Sequence, residues 1–242
     1  MLVLLHSPKG GVGSTFLTAQ LAMHLAGRGH QVTAIDLTFQ DSLKLHFGIL
    51  PSQPITSLSY DAGDTMVVHG VELLSGHAIT EDPRFLDMLA GDDPALFDPA
   101  HVTLLDVSSG QRGLKARLLK HCDLHICALL PFPASLAALP KVEPGTVTTE
   151  LTKTGFVLNQ LDDTRRLSRH SHTFIRELLG DLLLGTVRRD EAVNEAIAMF
   201  QPLAKVAPSS VAALDLARLA TTIEARLGLA AAEVAPAAKL PA

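Results

Sequence analysis

Short apolar runs punctuate the chain, and most of them end on a polar or glycine-bearing step. Leu2-Val3-Leu4-Leu5 predicts a short buried strand, and Leu17, Leu21 and Leu25 repeat at i, i+4 and i+8, one face of a helix. Gly27-Arg28-Gly29 stops that helix, and residues 31–36 predict a second strand ending on Asp36. Parallel strands joined through a helix cross over right-handedly, so Asp36 falls on the same rim of the sheet as the loop after strand one. Leu43, Leu45 and Phe47 mark a short helix under that rim, closed by Gly48.

The pattern fades between residues 49 and 101. Pro51, Pro54 and Gly63 predict a surface excursion, residues 71–76 a strand leaving a turn, and residues 81–90 a helix opened by Asp82-Pro83. It returns at Val102-Thr103-Leu104-Leu105-Asp106, a hydrophobic strand closed by an acid. Residues 124–130 are the next buried strand, stopped by Pro131, and residues 155–159 another, ending on Asn159. A helix over 168–179 is expected to turn Phe174, Leu178 and Leu179 inward. Residues 182–187 make the last strand, and Arg188-Arg189-Asp190-Glu191-Ala192 starts a helix with its acids in the favourable first turn. Residues 209–227 make the closing helix, capped by Ser209 or Ser210. Strands alternating with helices predict an α/β fold: a doubly wound, mostly parallel sheet with helices on both faces. Residues 1–228 are expected to form one domain and the Ala- and Pro-rich stretch 229–242 a disordered tail.

With 242 residues, 47% of them hydrophobic, such a core needs no disulfide. Cys122 and Cys127 lie among apolar residues and read as reduced core thiols. No apolar run approaches the roughly 20 residues of a membrane helix, and the N-terminus lacks the basic flank of a signal peptide. A cytoplasmic protein is expected. The net charge of −5 weighs against constitutive nucleic-acid binding, and the Ala-rich closing helix lacks the Lys/Arg lining of a membrane-targeting helix. The eleven histidines show no metal-ligand spacing, and His170-Ser171-His172 reads as an exposed helix start. Arg165, Arg166 and Arg169 form a basic cluster, either a solvated face or a contact for phosphates or an acidic partner.

The chemistry concentrates in the first loop, Ser7-Pro8-Lys9-Gly10-Gly11-Val12-Gly13-Ser14-Thr15. Its glycines let the backbone approach a phosphate closely, and successive N–H groups can then point inward. The following helix N-terminus adds free donors and partial positive charge. Thr15 stands where a hydroxyl reaches Mg²⁺ beside a β,γ-phosphate pair, and Asp106 closes a Walker B pattern that holds the same metal. Two positions depart from G-x-x-x-x-G-K-[ST]: Pro8 replaces the first glycine and Ser14 the lysine, while Lys9 supplies the positive charge. A Rossmann loop built on Gly11 and Gly13, with Asp36 as the ribose acid, is the rival reading. It requires a small residue where this chain has Phe16.

Lys9-Gly10-Gly11-Val12-Gly13-Ser14-Thr15 resembles the deviant Walker A motif of the MinD/ParA class of P-loop ATPases. Within it, residues 10–15, 32–36 and 43–47, with Arg189-Asp190-Glu191-Ala192 and Gln201-Pro202, resemble the BcsQ (YhjQ) branch of cellulose biosynthesis proteins. The resemblance implies ATP and magnesium as cofactors. It implies nucleotide contacts from Lys9, Gly10, Gly11, Val12, Gly13, Ser14, Thr15 and Phe16, a base contact from Asn159, and metal contacts from Thr15 and Asp106. Lys9, which in the class reaches the partner's nucleotide across a dimer, and Asp36 take the catalytic positions. The class carries a second acid after strand two that orients the attacking water; here Asp36-Leu37-Thr38 lacks it, with Asp41 the nearest substitute. Slow hydrolysis is therefore expected. The branch implies an ATP-dependent homodimer serving an inner-membrane cellulose synthase complex with a small accessory subunit. A MinD/ParA-like ATPase positioning cargo on nucleoid or membrane is the alternative, and a metabolic P-loop enzyme a third reading.

Overall fold

Every side chain of the first apolar run is buried in the computed structural model, which describes residues 1–61, 65–91 and 96–229. In chain order the strands are β1 (Leu2–Leu5), β2 (Val32–Asp36), β3 (Met66–Val68), β4 (Val71–Ser75), β5 (Val102–Asp106), β6 (Leu124–Leu129), β7 (Thr154–Leu161) and β8 (Leu183–Arg188). The helices are α1 (Ser14–Gly27), α2 (Pro83–Met88), α3 (Arg112–His121), α4 (Pro133–Leu136), α5 (Arg166–Leu179), α6 (Glu191–Ala198), α7 (Leu203–Val206) and α8 (Val211–Leu227). The strands form one sheet in the order β3-β4-β2-β5-β1-β6-β7-β8, with only the β3–β4 pair antiparallel. This is the doubly wound sheet that the alternating pattern predicts. The inner strands read as largely apolar runs because helices cover both of their faces. On one face Leu17, Leu21 and Leu25 of α1 meet Leu216 and Leu219 of α8 above Val3, Ala34 and Leu104. On the other, α2 and α3 close over Leu4, Ile35 and Leu105, and α5 over Phe156 and Leu158.

The register sets the site. Leu5 and Asp36 both align with Asp106, so β1, β5 and β2 end side by side on one rim. The first loop leaves β1 there. A one-turn 3-10 helix at Leu43–Phe47, ended by Gly48 in the left-handed region, lies under the rim where the sequence places a short helix.

The poorly patterned middle holds a strand the sequence does not announce. β3 has three half-exposed or exposed residues and turns back onto β4 through His69 and Gly70, both with positive φ. A tight hairpin of this kind needs two left-handed residues. α2 is shorter than expected, and Asp82 caps it by accepting from the Arg84 N–H at 2.8 Å. Gly63 lies outside the described residues. α3 was also not evident: charged residues interrupt Leu114 and Leu118, which alone carry its buried apolar stripe.

α5 corrects an expectation. Phe174 is 51% and Leu178 37% exposed; only Leu179 of the three faces inward. The buried row is Ser168, Ser171, Ile175 and Leu179. Ser168 is held there by accepting from Asp162 N at 3.0 Å, and the row follows the i, i+3, i+7, i+11 spacing of one helical face. The larger side chains mark the adjacent flank. At the chain's end Ser210, not Ser209, caps α8, and Gly228 ends it. Residues 230–242, the bulk of the expected tail, lie outside the described residues.

Candidate functional site

The glycines of the first loop are fixed by conformation and by contact. Gly11 and Gly13 have φ of 73° and 90°, a region costly for side-chain-bearing residues. A Cβ on Gly13 would lie 2.3 Å from Asn159 Nδ2, and one on Gly10 would lie 3.3 Å from Ser109 Oγ. Asn159 is buried at the end of β7 and donates to Val12 O at 2.8 Å, so it braces the loop from behind as well as lining the cavity. Ser7 holds the loop's other end, its Oγ accepting from Ala128 N at 2.8 Å and lying 3.3 Å from Ser14 Oγ. The loop therefore has a defined shape before any ligand arrives. α1 starts at Ser14 with no side-chain cap, which leaves its first N–H groups for a ligand.

Thr15 Oγ1 donates to Asp106 Oδ2 at 2.6 Å. Asp106 is almost fully buried, and burial, reinforced by the neighbouring Asp36 charge, pushes its carboxyl up to about 7 against the opposing Thr15 bond. Asp36 is also raised, chiefly by burial. Its Oδ1 accepts from Thr38 N at 2.8 Å and Thr38 Oγ1 at 2.6 Å, and its Oδ2 from Leu43 N at 2.9 Å. Asp36 therefore shapes the loop after β2 and does not line the cavity. Asp41 pairs with Lys44 and is also absent from the lining, although its neighbours Gln40 and Ser42 belong to it.

The cavity above the loop measures about 590 Å³ and brings together all of residues 9–16 with Thr38, Asp106 and Asn159. Lys9 is exposed at its edge. Phe16 lines it and packs its ring against His46, with centroids 5.8 Å apart. Residues not singled out from sequence complete the walls, Ser108 and Ser109 after β5, Gln160 after Asn159 and Asn194 in α6, together with Arg189 and Asp190 of the helix start that the sequence marks. Gln160 holds a φ of 56°, an uncommon conformation for a side-chain-bearing residue, at a bulge in the β7–β8 pairing. That bulge has no sequence signature. Arg188, beside them, is held by Asp215 through contacts of 2.7 and 2.8 Å. Asp190 caps α6 by accepting from Ala192 N at 3.1 Å, as the acid-rich helix start predicts.

Comparison with known proteins agrees with this geometry. A family model, the CobQ/CobB/MinD/ParA nucleotide binding domain, matches residues 3–203. No curated protein matches. Among solved structures, the septum site-determining protein MinD from Pyrococcus horikoshii, complexed with Mg-ADP, superposes with a TM-score of 0.71 at 24% identity, covering 92% of this chain and 95% of that one. A ParA family ATPase from Chlorobium tepidum gives 0.69 at 19% identity, covering 91% and 97%. An ATP complex of a McdA variant from Cyanothece gives 0.69 at 14% identity, covering 95% and 96%. At these identities the structures show a shared fold; the family match covers most of the chain and includes the loop, Asp36, Asp106 and Asn159. The chain belongs to the CobQ/CobB/MinD/ParA nucleotide-binding domain family.

Proposed function

We propose that this chain binds Mg·ATP in the cavity and works as an ATP-linked homodimer, a slow clamp that regulates or assembles a bacterial cellulose synthesis and secretion complex. The observation that carries the nucleotide reading is the 2.6 Å contact of Thr15 with Asp106 beside a pre-shaped glycine loop. A hydroxyl and a carboxylate converge there as hard oxygen donors suited to magnesium. The donor set fits: Thr15 and Asp106 both line the cavity, and a divalent cation would relieve the charge that burial opposes at Asp106. Gly13 leaves room for Asn159 against the loop, and Gly10 for Ser109. When bound, the metal would neutralise charge on the phosphates. Residues 10–15 would hold those phosphates through backbone N–H groups, and Lys9 would supply charge from the edge.

Slow turnover follows from the residues around the cavity. Ser14 brings no charge to the lysine position, and Thr38 Oγ1 is directed to Asp36. Asp41 is tied to Lys44. The cellulose assignment rests on the branch resemblance, part of which, Arg189 and Asp190, lines the cavity. The second reading, a cargo-positioning ATPase, is favoured by the names of the structural neighbours, a cell-division protein and a ParA family ATPase among them. Affinity purification from the native host in Mg·ATP separates the two. Recovery of cellulose synthase subunits with a small accessory protein supports the first reading. Recovery of nucleoid or division-site cargo in their place supports the second and overturns the first.

A further inference from the structure

We propose that Gln111 is a positioning residue that ties together the two rim loops flanking the phosphate cradle, so that they move as one. Gln111 stands at the N-cap of α3 and is half-buried. Its Oε1 accepts from Ser108 N at 3.0 Å and from Ser108 Oγ at 2.9 Å, and its Nε2 donates to Leu37 O at 2.8 Å. The backbone N–H of Ser108 can only donate and the Leu37 carbonyl can only accept, which fixes the orientation of the amide. Ser108 belongs to the loop after β5, whereas Leu37 belongs to the loop after β2.

Leu37 is clamped from both sides. Its N–H donates to Asp106 O at 3.0 Å while its carbonyl takes the Gln111 bond. Thr38, the next residue, lines the cavity, as do Ser108 and Ser109, and Ser109 Oγ stands over Gly10. Displacement of the Ser108–Ser109 backbone therefore pulls on the Leu37 peptide through one side chain. A primary amide suits this task because it accepts on one side and donates on the other; a carboxylate lacks the donor and an ammonium the acceptor. The two loops meet different parts of the site, one carrying Thr38 and the other leading from Asp106. Occupancy sensed by one loop is thus transmitted to the other. The bridge itself is independent of what fills the cavity; its use by nucleotide rests on the function proposed above.

Two substitutions separate the bridge from local capping. Gln111→Glu keeps acceptors for Ser108 N–H and Oγ but sets a carboxylate oxygen against Leu37 O. Gln111→Leu removes both arms. Hydrogen exchange of the nucleotide-free protein is the first readout, with the Thr38 and Leu43 amides, both bonded to Asp36, as reporters. Both variants are expected to speed their exchange by about tenfold while amides of β1 and β6 stay protected, a local opening and not global unfolding. The Ser108 amide should speed up only in Gln111→Leu. Wild-type exchange at Thr38 and Leu43 in Gln111→Glu would overturn the bridge. In the second arm, Mg·ATP should protect residues 37–43 and 108–111 together in the wild type. Both variants should protect 108–111 without 37–43, and joint protection surviving in Gln111→Glu would overturn the coupling. If Mg·ATP alters no exchange in the wild type, the nucleotide reading fails and the nucleotide-free arm still decides the bridge.

Discussion

Thr38 is where this chain departs most informatively from its class, because a hydroxyl replaces an acid and that hydroxyl is bonded to Asp36. It can neither hold negative charge nor turn freely toward a water. Loss of such a group commonly lowers a rate by about 10²–10⁴. Thr38→Asp is therefore expected to raise single-turnover ATP hydrolysis by at least about tenfold. The same change removes a bond to a buried carboxylate and adds a like charge, so the nucleotide-free protein should lose about 1–3 kcal/mol of stability. A wild-type rate equal to that of Thr38→Asp, in single-turnover measurements without partners, would show that another residue activates the water. The histidines make a second statement at this scale. Burial holds His125 down to about 3 and His6 and His46 to about 4, with Lys115 adding to the shift at the first two. His6 has both ring nitrogens buried without a partner. All three stay neutral in the fold, whereas the unfolded chain takes up protons below about 6.5. At these three groups the unfolded state then binds more protons, so their contribution is full above that pH and drains as pH falls toward 4. The raised Asp106 and Asp36 carboxyls work in the opposite direction and offset part of the loss. Each histidine contributes about 1.4 kcal/mol per pH unit in that window. Denaturant midpoints from pH 7 to 5, compared between the wild type and His125→Gln so that the carboxyl contributions cancel, should differ in slope by about one proton. An unchanged slope in that variant would show that His125 is not one of the groups responsible.

At the scale of elements, α5 shows how far a pattern carries. Its existence follows from sequence, yet its inward row does not, because Ser168 and Ser171 occupy places that hydrophobicity assigns to Phe174 and Leu178. Ile175 is fully buried and Phe174 half exposed. Ile175→Ala should therefore cost about 2–5 kcal/mol in chemical denaturation, and Phe174→Ala under about 1 kcal/mol. The reverse order would restore the row expected from sequence. The inner strands were legible throughout, since burial on both faces leaves largely apolar runs, unbroken in residues 2–5. That Lys9 to Thr15, Asp106 and Asn159 meet at one cavity was legible from a glycine-rich loop after a strand and from polar residues closing two later strands. The three-residue β3, the bulge that displaces Gln160 and the side-chain bridge from Gln111 were not. They depend on which segments the folded sheet brings together, and local periodicity carries no trace of that. Asp36 lies between these cases: its place on the rim followed from topology, while its engagement with Thr38 and Leu43 needed the fold.

For the whole molecule, the sheet brings the carboxyl ends of β1, β2, β5, β7 and β8, or the loops that follow them, to a single cavity, with Lys9 exposed among its lining. In the proposed dimer that lysine serves the neighbouring subunit's phosphates, a charge-assisted contact of about 1.5–3 kcal/mol. Lys9→Ala should weaken the ATP-bound dimer by about ten- to a hundredfold and leave the fold intact. Sedimentation with and without ATP checks this, and identical monomer–dimer distributions for both proteins would remove the role of Lys9. Dimerisation presupposes the proposed binding step, in which a loop with serine at the lysine position holds nucleotide through backbone, Thr15 and metal. Titration calorimetry with Mg·ATP and with metal-free ATP, on the wild type and Thr15→Ala, tests it most directly. The wild type should bind Mg·ATP, and Thr15→Ala should lose about tenfold or more in Mg·ATP affinity with a smaller loss for metal-free ATP. A wild-type protein that binds neither form of ATP would contradict the account.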